Sequence, residues 1–145
     1  MRGFPKVRKY TPTHPEKWIH HNNVIARSNL EMKFFRKCDN NSNILLIGSE
    51  EVVIPYISID ERQHKYYIDL YLKTKDTKGI IQEYIVEIKP DKFTKTPKLP
   101  KSGRRTKGYL MECKNWLVNS CKWKAATEFA KLHNMKFIFL TEKDL

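Results

Sequence analysis

The sequence predicts an α/β protein in which a mixed β-sheet is flanked by helices. Three observations carry that expectation. Three strand-like runs follow one another between Glu50 and Lys89, joined by short polar links. A stretch with the helical apolar period comes next, and a run of apolar residues, Phe137–Thr141, closes the chain. At 145 residues the chain has the length of one domain, and its 40% hydrophobic content suffices for a core without staples.

Residues 1–24 carry Pro5, Pro12 and Pro15 among basic and aromatic residues and read as an irregular basic arm. Ser28 is placed to cap a short helix from Asn29 to about Lys37, with Leu30, Phe34 and Phe35 as its apolar side. Asp39–Asn43 is a polar turn. Strand candidates then fall at Glu50–Ile57, at Lys65–Lys73 (K-Y-Y-I-D-L-Y-L-K) and at Gln82–Lys89 (Q-E-Y-I-V-E-I-K), each rich in branched or aromatic residues. The links between them are short enough for antiparallel neighbours. Residues 91–108 break the pattern. Pro97, Pro100 and Gly103 stand there among Lys92, Lys95, Lys98, Lys101, Arg104, Arg105 and Lys107, which predicts a mobile basic loop. From about Tyr109, Leu110, Cys113, Trp116 and Leu117 share a helical face. Asn119–Ser120 marks a break, with Ser120 capping a second helix that buries Trp123, Ala126 and Ala130. Asn134 sits where a C-terminal cap belongs. Phe137–Thr141 reads as a strand buried on both faces.

Charge gives the first functional signal. The 28 Lys+Arg against 16 Asp+Glu leave a net +12, a surface suited to polyanions because each neutralised phosphate releases counterions. Cys38, Cys113 and Cys121 are odd in number and widely spaced, which argues against a zinc ribbon or a disulfide framework and for a reducing compartment. No apolar run approaches the roughly 20 residues that span a bilayer, and no signal-peptide core is visible, so no membrane role is expected.

The chemistry lies in the second and third strand candidates. Alternation puts Tyr67, Asp69 and Tyr71 on one face and Tyr66, Ile68, Leu70 and Leu72 on the other. Asp69 thus interrupts an aromatic and apolar strand, where aspartate is disfavoured and an unpaired buried carboxylate is costly. The same rule puts Glu87 beside Lys89, opposite Val86 and Ile88. If the strands pair, Asp69 and Glu87 converge at one end of the sheet. Two carboxylates can hold a hard divalent cation, Mg²⁺ or Mn²⁺, and a neighbouring lysine can orient water and stabilise developing charge. Glu31 could supply a third metal-binding carboxylate. It also fits a capping box with Ser28, in which the glutamate serves only its own helix. His20 and His21 could contact phosphate, but their spacing does not suggest metal ligands.

Asp69 with Glu87-Ile88-Lys89 resembles the core motif of PD-(D/E)xK nucleases. A closer similarity is to the head completion nucleases of tailed phages, themselves similar to the endonuclease subunit of heteromeric transposases. The similar stretches are Arg27–Glu31 (R-S-x-x-E), Ser49–Tyr56 (S-E-E-V-V-I-P-Y), Tyr66–Asp69, Val86–Pro90 (V-E-I-K-P), Trp116–Ala126 and Lys136–Glu142. The resemblance implies a restriction-endonuclease-like core and a Mg²⁺- or Mn²⁺-dependent DNA endonuclease. Its catalytic residues would be Glu31, Asp69, Glu87 and Lys89, with the first three as metal ligands. It also implies a late role in phage assembly, with portal, neck or terminase proteins as partners and the virion or host cytoplasm as location. A homodimer is possible in principle, since cutting both strands asks for two sites. The seven cations of residues 91–108, with Lys122, are the expected DNA contacts. The competing expectation is a non-catalytic DNA-binding assembly factor that stabilises the packaged end; RNA is less favoured, because no stacking platform is visible.

Overall fold

The computed structural model describes residues 7–145, so the first six residues of the expected arm lie outside the described part. Its elements run β1 (Arg8–Tyr10), β2 (Val24–Ala26), α1 (Asn29–Asp39), β3 (Ile44–Ser49), β4 (Val53–Ile57), β5 (Gln63–Tyr67), β6 (Leu70–Lys75), β7 (Ile81–Ile88), α2 (Lys107–Leu132) and β8 (Lys136–Leu140). The central sheet has the order β3-β6-β7-β8. β3, β6 and β7 are antiparallel neighbours, and β8 joins β7 in parallel after the α2 crossover. The sheet is therefore mixed, as the sequence predicts.

Each face of this sheet carries its own core. On one side Phe34, Phe35, Met32 and Cys38 of α1 pack with Ile47, Leu70, Leu72, Val86 and Ile88. On the other, Ala126 and Ala130 of α2 pack with Ile85 and with Ile54, Tyr56 and Tyr66 of the β4–β5 hairpin. Alternation along β7 sends Val86 and Ile88 to the α1 side and Ile85 to the α2 side, so a single strand feeds both layers. Ser28 caps α1 by accepting from the Glu31 amide at 3.1 Å, and Asn134 has the left-handed backbone (φ 56°) expected just past α2.

Several expectations are corrected. The arm is not irregular throughout: β1 and β2 pair as a ribbon, and Trp18 bridges to Ile47, covering the free edge of β3. Asp39 is what ties the arm down. Fully buried at the end of α1, it accepts hydrogen bonds from the Tyr10 hydroxyl, the Thr13 and His14 amides and the Trp18 indole. β3, between the expected polar turn and the first strand candidate and assigned to no element from sequence, is a strand of the central sheet. The Lys65–Lys73 run splits at Ile68-Asp69 between β5, which pairs with β4 in a separate two-stranded sheet, and β6, which enters the central one. The two expected C-terminal helices are one. Ser120 caps nothing; its hydroxyl donates to the Trp116 carbonyl within the helix at 2.7 Å, so its polar group is satisfied without a break. Lys107 begins α2 rather than ending a loop, and Asp91–Thr94 forms a 3₁₀ turn. β8 lies at the sheet edge and is half-buried, not enclosed.

Candidate active site

Strand register assembles the site. Leu70 pairs with Val86 and with Ser49, so one further step puts Asp69 between Glu87 on one neighbour and Glu50 on the other. The Glu50 amide donates to the Asp69 carbonyl at 3.4 Å, and the Ile88 amide donates to Asp69 Oδ2 at 2.8 Å. Asp69 stands where the chain leaves one sheet for another, which turns its side chain toward the end of β7.

Glu87 is 8% exposed and is fixed from above and below. The Tyr66 hydroxyl donates to its Oε2 at 2.7 Å, while Lys89 Nζ stands 3.5 Å from its Oε1. Lys89 is held by its own amide, which donates to Leu140 of β8, and its ammonium lies 5.9 Å from the centre of the Trp123 ring. Each carboxylate thus has one oxygen anchored by the protein, leaving Asp69 Oδ1 without such an anchor and Glu87 Oε1 facing the lysine.

The Glu87 carboxylate opposes ionisation of Asp69. Burial, and after it the charge of Glu87, push Asp69 up to about 9, against the opposing pull of the Ile88 amide; Glu31 raises it further. Burial and the adjacent Glu87 carboxylate likewise hold the Tyr66 hydroxyl far above its ordinary value, so Tyr66 remains a donor. The donor set is all oxygen and carries like charges in a dry place, which fits a hard divalent cation better than a proton or a soft metal.

Glu31 lies at the N-terminus of α1. Burial first, then the charge of Glu50, raise its carboxyl above the usual range. Its Oε1 accepts from the Arg27 amide at 3.4 Å and its Oε2 from the Ser28 hydroxyl at 3.5 Å, neither of which is the bond from the Ser28 amide that would complete a capping box. Glu31 is near enough to perturb Asp69. Yet among the described residues no three acidic, histidine or cysteine side chains close into a ready ligand cluster. The structure brings Asp69, Glu87 and Lys89 together, while the Glu31 carboxylate makes its hydrogen bonds to Arg27 and Ser28.

Residues 41–142 match the family described as TnsA-like endonuclease N terminal. The chain belongs to that family. It is also 38% identical over 125 residues to the head completion nuclease of Enterobacteria phage T4, a match covering 84% of this chain and 81% of the relative. Asp69, Glu87 and Lys89 fall inside the family match, and Glu31 precedes it.

Around the site of this TnsA-like endonuclease chain three groups were not legible in the sequence. Tyr66, expected on the face opposite Asp69, instead donates its hydroxyl to Glu87 at the site, a cross-strand contact that sequence alone does not show. Glu50, in left-handed backbone at φ 55°, binds the Arg27 guanidinium at 2.7 Å and sits beside Glu31 and Asp69. Trp116, read as core, lines a cleft instead. The expected DNA contacts divide. Lys92, Lys95, Lys98, Lys101, Arg104, Arg105 and Lys107 are exposed along 91–107, whereas Lys122 is half-buried on α2 with its ammonium 5.5 Å from the Tyr66 ring. His20 is exposed and paired with Glu51 at 2.6 Å.

Proposed function

We propose that this chain is a Mg²⁺- or Mn²⁺-dependent DNA endonuclease of the PD-(D/E)xK kind that acts on packaged DNA when phage heads are completed. The observation that carries the reading is the pairing of half-buried Asp69 with buried Glu87, with Lys89 Nζ 3.5 Å from Glu87. Asp69 and Glu87 would hold the cation, with Glu31 completing the acidic surroundings. When bound, such a cation neutralises phosphate charge and acidifies a coordinated water.

The chain's own residues do the rest. The Ile88 amide and the Tyr66 hydroxyl fix one oxygen of each carboxylate, so the pair is oriented before substrate arrives. Lys89 presents its ammonium protons to the non-bridging phosphate oxygens as their charge grows. Lys122 and the exposed cations of 91–107 hold the flanking backbone, contacts that position DNA without reading its bases. The role in head completion rests on the relative's name, and with it come portal, neck or terminase partners, a possible homodimer, and a place in the virion or the infected host's cytoplasm.

The test is cleavage of supercoiled and linear plasmid with Mg²⁺, Mn²⁺ or EDTA, beside Asp69→Ala and Lys89→Ala. Metal-dependent nicking lost in both variants, with folding and DNA binding kept, is the expected result. Undiminished cutting by Asp69→Ala would sink the assignment. DNA binding without cutting under any metal would favour the non-catalytic assembly factor.

A further inference from the structure

We propose that the cleft between the Asp91–Thr94 turn and α2 holds a single unpaired nucleotide beside the scissile phosphate, so that the preferred DNA is frayed, gapped or overhanging rather than continuous duplex. This inference rests on the nuclease reading and specifies its substrate.

The cleft has a volume of about 420 Å³ and opens next to the site, since Lys89 and Lys122 line it. That volume lies in the range of small-ligand pockets; it admits one nucleotide and excludes a base-paired helix. Its apolar lining comes from Phe93, Pro97, Trp116 and Val118. Phe93 is 39% exposed, and Trp116 is held edge-on against Trp123 with ring centres 5.5 Å apart. A clamp that only tracked phosphates would need none of these. Bases inside a duplex stack on one another, so aromatic protein surface recognises bases that have left the stack.

The polar lining fits the same occupant. Lys89, Lys92, Lys95 and Lys122 suit the phosphate, while the Asn115 and Asn119 amides each offer donors and an acceptor suited to a base edge. Lys92 Nζ already lies 4.7 Å from the centre of the Phe93 ring, where a base and its phosphate would add to the cation and aromatic partners. Lys95 is engaged by Asp91 at 3.0 Å, which pins the turn that forms one wall. Sheet geometry ties pocket to chemistry: Lys89 lines the cleft and stands against Glu87, so a nucleotide seated there has its phosphate at the carboxylate pair.

The test measures binding in EDTA, so cleavage plays no part in it. Fluorescence anisotropy compares a blunt duplex with the same duplex carrying a three-nucleotide overhang. The wild type is expected to prefer the overhang about ten-fold. Phe93→Ala, an exposed change, should bring that preference close to one, while Trp116→Phe, which keeps a ring, should largely keep it. Replacing Lys98 and Lys101 by alanine should weaken both DNAs equally. Equal affinity of the wild type for the two DNAs, or a preference that survives Phe93→Ala, overturns the pocket and leaves the nuclease reading standing. Loss of cleavage activity in the plasmid assay with the preference intact would count against the nuclease alone.

Discussion

Asp69 has two burdens that one cation would relieve: it is half-buried, and it faces a second carboxylate. Without metal its proton is retained in the folded chain over a range where the unfolded chain, with an ordinary aspartate value of 3.8, has released it. A raised acid therefore favours folding most below that ordinary value, and the advantage drains away as pH climbs toward about 9. In EDTA the melting temperature should accordingly fall between pH 5 and about 9, and Asp69→Asn should flatten that fall while keeping an acceptor for the Ile88 amide. Added Mg²⁺ should raise the wild type's melting temperature at pH 8 and leave Asp69→Asn unmoved; an equal rise in both would place the metal elsewhere. Tyr66 acts through Glu87 rather than on substrate. Tyr66→Phe keeps the ring against the hairpin core but frees Glu87 Oε2, so cleavage should drop about 10- to 100-fold with a weaker apparent metal affinity. Unchanged metal dependence would show that the hydroxyl serves packing alone.

At the scale of elements, the arm and the C-terminal half of the chain show what a one-dimensional pattern can carry. Glu87 and Lys89 were legible because period-two alternation survives in β7, and Asp69 because an aspartate interrupts an aromatic and apolar run. The alternation expected through Lys65–Lys73 breaks there, with Tyr66 and Ile68 in one core and Leu70 and Leu72 in the other, and strand register then does the assembling. The Ser28 cap and the Asn134 terminus were legible because their backbone roles are local. β3 was not, because I-L-L-I-G-S has neither alternation nor length, and its pairing with β6 is a long-range fact. The break at Asn119–Ser120 failed for the converse reason: a serine that can cap can also satisfy itself on the preceding turn. The arm hid its order because its anchor, Asp39, lies at the far end of α1. Burial disfavours that carboxylate's charge, but hydrogen bonds from Tyr10, Thr13, Trp18 and His14 outweigh it and hold its pKa below the usual range. Asp39→Asn replaces one acceptor oxygen by an NH₂ that faces two of the four donors, and should cost about 2–3 kcal/mol by denaturant unfolding. A lowered acid stabilises the fold above its ordinary value and loses that contribution as pH falls through the folded one. The wild type should thus lose stability below about pH 4, and the variant should show a shallower acid limb.

Across the whole molecule, charge is distributed by task. The acidic residues of the site, Glu31, Glu50, Asp69 and Glu87, gather where β3 and β7 end and β6 begins, near the start of α1, while exposed cations follow one another along 92–107, Lys95 among them paired with Asp91. A net +12 would bring any polyanion to the surface, and the exposed cations of that segment lie in or beside an irregular stretch rather than in the packed sheet. They should therefore govern the salt dependence of binding and not the stability of the fold. Each phosphate neutralised contributes about −0.9 to the slope of log affinity against log salt on duplex DNA. Replacing Lys98, Lys101, Arg104 and Arg105 together with alanine should make that slope shallower by up to about 3.6, with the melting temperature unchanged. The loss should be equal for unrelated sequences, because backbone contacts do not read bases. A slope that does not move would transfer the electrostatic footprint to α2 and the β4–β5 hairpin, and with it the path of DNA across the molecule.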